Sequence, residues 1–115
     1  MEWEINSNQD KRIYYVIKDV QEDDYMGAVE AWEKYLMKNL KFPFEAIVAE
    51  SEVYYPIEYG DKLKVIGIDM IDDLYGVIVN IKKGRHSCCI ELCQLETEGE
   101  NRQLLDDYNT WFCNK

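Results

Sequence analysis

The chain has 115 residues, and its 23 Asp and Glu outweigh 13 Lys and Arg to give a net charge of -10 and a pI near 4.5. That length suits one domain burying about 65% of its unfolded surface, and a hydrophobic fraction of 47% excludes a disordered chain. The charge repels the phosphate backbone that supplies most nucleic-acid affinity, so DNA and RNA are excluded as partners.

The start, Met1-Glu2-Trp3-Glu4-Ile5-Asn6, lacks the basic residues and apolar core of a secretory signal. No stretch is apolar for the about 20 residues that a membrane span needs. The expectation is a soluble, cytoplasmic protein without membrane contact. In a reducing cytosol Cys88, Cys89, Cys93 and Cys113 remain free thiols.

Ser7 to Asp10 has the spacing of a helix-capping box, and Ile13, Val16, Ile17 and Val20 recur at three-and-four spacing, which predicts a first helix over residues 8–20. Glu22-Asp23-Asp24 interrupts the pattern. Tyr25, Val29, Trp32, Leu36 and Leu40 then form a second stripe, with Glu30 and Lys34 paired opposite it. Pro43 ends that helix, because the residue before a proline leaves helical geometry.

After Pro43 the period becomes two, in residues 44–49 and again in Lys62-Leu63-Lys64-Val65. Val77, Val79 and Ile81, a turn at Lys83-Gly84, and Cys88, Ile90 and Leu92 make residues 74–95 a hairpin. Gly60, Gly67 and Gly76 fit the corners and bulges of a small curled sheet. Thr97 and Glu100 offer a second capping box. Leu104, Leu105, Tyr108, Trp111 and Phe112 form a closing helix. The predicted fold class is α+β: two N-terminal helices, a small antiparallel barrel-like (SH3-like) sheet of four or five strands and a C-terminal helix, in one domain.

Catalytic chemistry finds little support. His86, beside Arg85 at the turn, is the single histidine and reads as an exposed loop residue, not as a base for a nucleophile. Neighbouring Cys88 and Cys89 point to opposite faces of a strand, which argues against a thiol enzyme. Cys89, Glu91 and Cys93 share a strand face near His86, but the paired C-x₂₋₄-C ligands of a structural zinc site are missing. The glycines are scattered and form no phosphate loop.

Carboxylates cluster in Glu22-Asp23-Asp24, in the segment of Asp69, Asp72 and Asp73, and in Glu96, Glu98 and Glu100. Calcium takes about six to eight oxygen ligands, which loop carboxylates and carbonyls supply together. With Asp69 as first ligand, Ile71 and Leu74 fall where an EF-hand needs an oxygen and a glycine, so any site has another geometry. Asp23 or Asp24 can equally cap the second helix, and Glu98 or Glu100 the last one. No helix follows Asp69, Asp72 and Asp73, whose crowding at a strand connection would be relieved by a cation. A different use of the charge is docking of a basic protein partner. Tyr54-Tyr55-Pro56 and Tyr59, set among Glu52 and Glu58, have the aromatic and acidic mix of a binding surface, or of a packed loop.

Trp32-Glu33-Lys34-Tyr35-Leu36, Leu40 and Phe42-Pro43-Phe44-Glu45-Ala46 resemble the helix-to-strand junction of the small acidic calcium-binding proteins first known from cyanobacteria. Gly60-Asp61 leading into residues 63–67 resembles that family's second strand, and Asn101 through Asp107-Tyr108 to Trp111 its closing helix. The resemblance implies a barrel-like β domain with packed helices and a non-enzymatic role in calcium buffering or signalling. The acidic stretch before the second helix is shortened and the cysteines depart from the pattern, so Asp69, Asp72 and Asp73, with Glu22, Asp23 and Asp24 as a second group, are chosen as calcium ligands on local grounds.

Overall fold

A computed structural model describes residues 1–50 and 55–114. Helix α1 (Asn8–Ile17) starts at Ser7, whose Oγ accepts the Asp10 N–H at 3.1 Å. The other half of the expected capping box is redirected: the Asp10 carboxylate accepts the Asn6 N–H at 2.9 Å and the Trp3 indole N–H at 3.0 Å, tying the N-terminal segment down. The helix ends three residues earlier than its stripe suggested, because the Val20 N–H turns back to the Ile17 carbonyl. Helix α2 (Tyr25–Asn39) is capped by Asp24, whose carboxylate accepts the Gly27 N–H at 2.9 Å. A Cβ at Gly27 would meet that carboxylate, so a larger residue there makes the Asp24 side chain shift. The Leu40 N–H closes the helix on the Leu36 carbonyl, and the chain is extended before Pro43.

Five antiparallel strands follow: β1 (Phe44–Val48), β2 (Lys62–Asp72), β3 (Gly76–Lys83), β4 (His86–Glu91) and β5 (Leu95–Glu96). Their order is β4-β3-β2-β1-β5, with β4 and β5 on opposite edges. The sheet is therefore open, which corrects the barrel-like expectation. Closure fails because β4 gives way to a 3₁₀ turn (Leu92–Gln94) and β5 is only two residues long, pairing Ile47 and Val48 of β1. Strand β2 is much longer than its clear alternation, and two register shifts, between Val65 and Gly67 and between Ile68 and Met70, hide its period from the sequence.

One sheet face presents Ala46, Val48, Leu63, Val65, Val77, Val79, Ile81 and Ile90 to the core. Ile13 and Ile17 of α1, Val29, Trp32 and Leu36 of α2, and Leu105, Tyr108 and Trp111 of α3 (Arg102–Asn114) complete it. The aromatic centre is Trp32, edge-on to Tyr108 at 5.6 Å and tilted against Trp111 at 5.9 Å. Truncating either tryptophan to alanine would cost about 3–5 kcal/mol. Among the described residues no helix is long and apolar enough to cross a membrane.

Candidate metal centre

The acidic segments sit on two connections at one end of the molecule. Residues Glu22 and Asp23 lie between α1 and α2, while Asp72 ends β2 and Asp73 opens the turn from β2 to β3. Asp72 shapes that turn: one carboxylate oxygen accepts the N–H groups of Leu74 and Tyr75, each at 2.8 Å. This corrects the picture of a crowded acidic loop. Asp69 and Asp72 belong to β2, and Asp72 has its charge offset by two amides, so mutual repulsion alone does not demand a cation. Asp69 lies apart, within reach of the Cys89 thiol at 3.4 Å across the outer sheet face. Asp24 spends one carboxylate oxygen on the α2 cap, the purely structural role considered for it.

Glu22, Asp23 and Asp73 nevertheless meet around one cleft of about 590 Å³. Glu2, Tyr25 and Trp111 are also among its lining residues, which include no lysine or arginine. The α-amino group of Met1, also a lining residue, donates to the Val20 carbonyl. Tyr25 stacks on Trp111 with ring centroids 6.2 Å apart. Burial first, then the nearby charges of Asp73 and Asp72, push the Tyr25 hydroxyl pKa above its ordinary value. Among the described residues no three carboxylate, imidazole or thiol groups converge closely enough to hold an ion ready-made. The donors are hard oxygens, which fit calcium or magnesium by chemistry. A complete shell requires the two connections to draw together or water to fill the gaps. The sequence did not single out Glu2, whose place in the cleft depends on the Trp3–Asp10 hydrogen bond.

The thiols form no centre of their own. Cys93 is not on the strand with Cys89, as its spacing suggested, but in the 3₁₀ turn after β4, packed against the core. Burial raises its pKa to about 12, and the Cys89 thiol is also raised, by burial and by its contact with Asp69. Neither is a ready thiolate for a soft metal at neutral pH. His86 is exposed at the first residue of β4. Of the expected aromatic surface, Tyr55 and Tyr59 are exposed while Ile57 between them is buried; Glu52 and Tyr54 lie outside the described residues.

Comparison with known proteins bears on the fold and the family. The chain is similar to Anabaena CcbP, with 19% identity, a TM-score of 0.73, and coverage of 95% of this chain and 92% of that one. It is likewise similar to the structure of a calcium binding protein in the calcium-binding form, at 18% identity and a TM-score of 0.70 over the same shares of the two chains. These likenesses establish the fold. No curated protein matches the sequence significantly. Residues 11–112 match the calcium-binding CcbP family, so nearly the whole chain, from α1 to the last turn of α3, belongs to that family.

Proposed function

We propose that this protein is a non-enzymatic calcium-binding protein of the cytoplasm, acting in calcium buffering or signalling through the cleft between the α1–α2 connection and the β2–β3 turn. The observation that carries the reading is that two acidic segments far apart in the chain line the same cleft, with no lysine or arginine in its wall. Glu22, Asp23 and Asp73 are the principal ligands in this reading. Asp72 and Asp24 stand beside them, each with a second carboxylate oxygen not used by its turn or cap. Asp69 faces Cys89 and is left out of the ligand set.

Carboxylates on separate connections must be drawn together at a cost in conformational entropy. The affinity therefore falls in the weaker part of the calcium range, about 10⁻⁶ to 10⁻³ M. Titration calorimetry with calcium at physiological salt tests the binding, and tryptophan fluorescence reports on it because Trp3 and Trp111 line the cleft. Heat release, a rise in melting temperature at millimolar calcium and loss of both in Glu22→Gln/Asp73→Asn are expected. Absence of heat and of thermal stabilisation would refute calcium binding. Binding unchanged in the double variant would refute the cleft.

A further inference from the structure

At the opposite edge of the sheet from β4, the ladder of β5 is short, and beyond it Thr97 to Asn101 run on past β1 held by side-chain bonds instead of a ladder. The ladder between the two stops at Ile47 and Val48, so no β5 residue stands opposite Phe44 to Ala46. A groove of about 410 Å³ opens there. Its apolar lining comes from Pro43, Phe44 and Ile47, and Ile47 is 44% exposed.

Side-chain hydrogen bonds fix the two walls of the groove relative to one another. Thr97 Oγ1 donates to the Glu45 carbonyl at 2.6 Å. Buried Asn101 clamps the Lys41 backbone, accepting its N–H at 2.9 Å and donating to its carbonyl at 3.0 Å. The Val48 N–H bonds Asp61, beside β2, and the Ala49 N–H bonds Gln94 on the other flank. The same alternation turns the Glu45 N–H toward the groove.

The charge of the groove is one-sided. Glu45, Glu96, Glu98 and Glu100 line it against Lys41 and Lys62. Lys62 reaches Glu45 only at 3.9 Å in an exposed pair, and Glu98 is drawn toward Arg102 at 3.2 Å. Among the described residues Glu96 and Glu100 have no ion-pair partner. A second copy of a chain with net charge -10 is disfavoured as occupant by like-charge repulsion.

We propose that this groove beside β1 docks an extended, lysine- or arginine-rich segment of a partner protein, with an apolar side chain against Ile47 and basic side chains at Glu96 and Glu100. The site is distinct from the carboxylate cleft, so docking does not depend on calcium occupying that cleft.

The test uses a fluorescently labelled short peptide alternating lysine and valine, with an alternating glutamate and valine peptide as control. Anisotropy measures affinity, and amide chemical shifts of the full-length protein locate the peptide. Expected are binding of the basic peptide alone, shifts centred on Glu45, Ile47 and Glu96, and an affinity about five- to tenfold weaker in Glu96→Gln/Glu100→Gln, two exposed changes that leave the fold intact. Chelator leaves the binding unchanged. No binding at about 1 mM peptide, equal binding of the acidic control, shifts centred on Glu22 and Asp73, or a sedimenting dimer that perturbs the same edge would each overturn the proposal.

Discussion

The phenolic oxygen of Tyr108 accepts the Val77 amide at 2.9 Å inside the core, joining α3 to the start of β3. The turn that presents Asp73 ends at Gly76, one residue earlier, so this bond fixes where the turn stands relative to the helices. Burial pushes the Tyr108 hydroxyl pKa far up, and it stays protonated throughout the physiological range. Tyr108→Phe leaves the Val77 N–H buried without its acceptor, and unfolding in denaturant should show a loss of about 1–3 kcal/mol.

Gly76 makes the sharper test of the same junction. It has φ +72, and a Cβ there would run into the Tyr108 hydroxyl and the Phe112 ring. Gly76→Ala should lose about 1–3 kcal/mol from the backbone alone, with the clash adding to it, so that its melting temperature lies below that of Tyr108→Phe. A Gly76→Ala protein as stable as wild type would show that β3 and α3 do not meet this closely.

Asn101 bonds both the N–H and the carbonyl of Lys41, joining the end of α2 to the start of α3. Asn101→Asp keeps an acceptor for the N–H but loses the donor for the carbonyl and buries a charge. It should destabilise by about 2–4 kcal/mol, more than Asn101→Ser. Thermal unfolding of the two variants checks the order, and equal melting temperatures would contradict it.

Asp61 accepts the Lys83 ammonium at 2.6 Å and the Glu58 N–H at 2.7 Å. The lysine bond first, and the amide second, hold its carboxyl below the usual carboxylate range. A carboxyl whose folded pKa is depressed stabilises the fold above its unfolded value, about 3.9, and that stabilisation is lost as pH falls through the folded pKa. Lys83 is raised by the same contact, so its contribution is present below its unfolded pKa and is lost as pH rises through the folded one. Melting temperature measured against pH should fall less steeply on the acid side for Asp61→Asn than for wild type. Parallel curves would remove Asp61 from the acid response.

The cysteines should divide by position. Cys113 is exposed on α3, whereas Cys93 is partly buried with its pKa raised to about 12. Brief alkylation near neutral pH followed by peptide mass spectrometry should label Cys113 well ahead of Cys93. Thiol counting in denaturant, on protein purified without reductant, should return four free thiols. A shortfall would show oxidation, and co-purified stoichiometric zinc would overturn the oxygen-ligand reading.

The helices were legible in the sequence because their signals are local. Ser7 and Asp24 cap where their side chains suggest, and the apolar stripes that include Leu36 and Trp111 need only a helical period to be recognised. The family resemblance was legible for the same reason, since Phe42-Pro43-Phe44 and the segment from Asn101 to Trp111 are continuous stretches. Strand β2 was legible only in its first half: two register shifts break the period on which alternation depends, so Asp69 and Asp72 read as loop residues when Asp69 sits at a bulge within β2 and Asp72 pairs Gly76 at its end. The course of the chain past β1 after β5 was equally hidden. β4 and β5 are neighbours in the chain, yet the 3₁₀ turn at Leu92–Gln94 carries the chain from one sheet edge to the other, a crossing that no local period signals. Only the tertiary structure brings Glu22 and Asp23 to the cleft of Asp73, because the packing of α3 against α1 and β3 sets that approach and no spacing within either acidic segment encodes it.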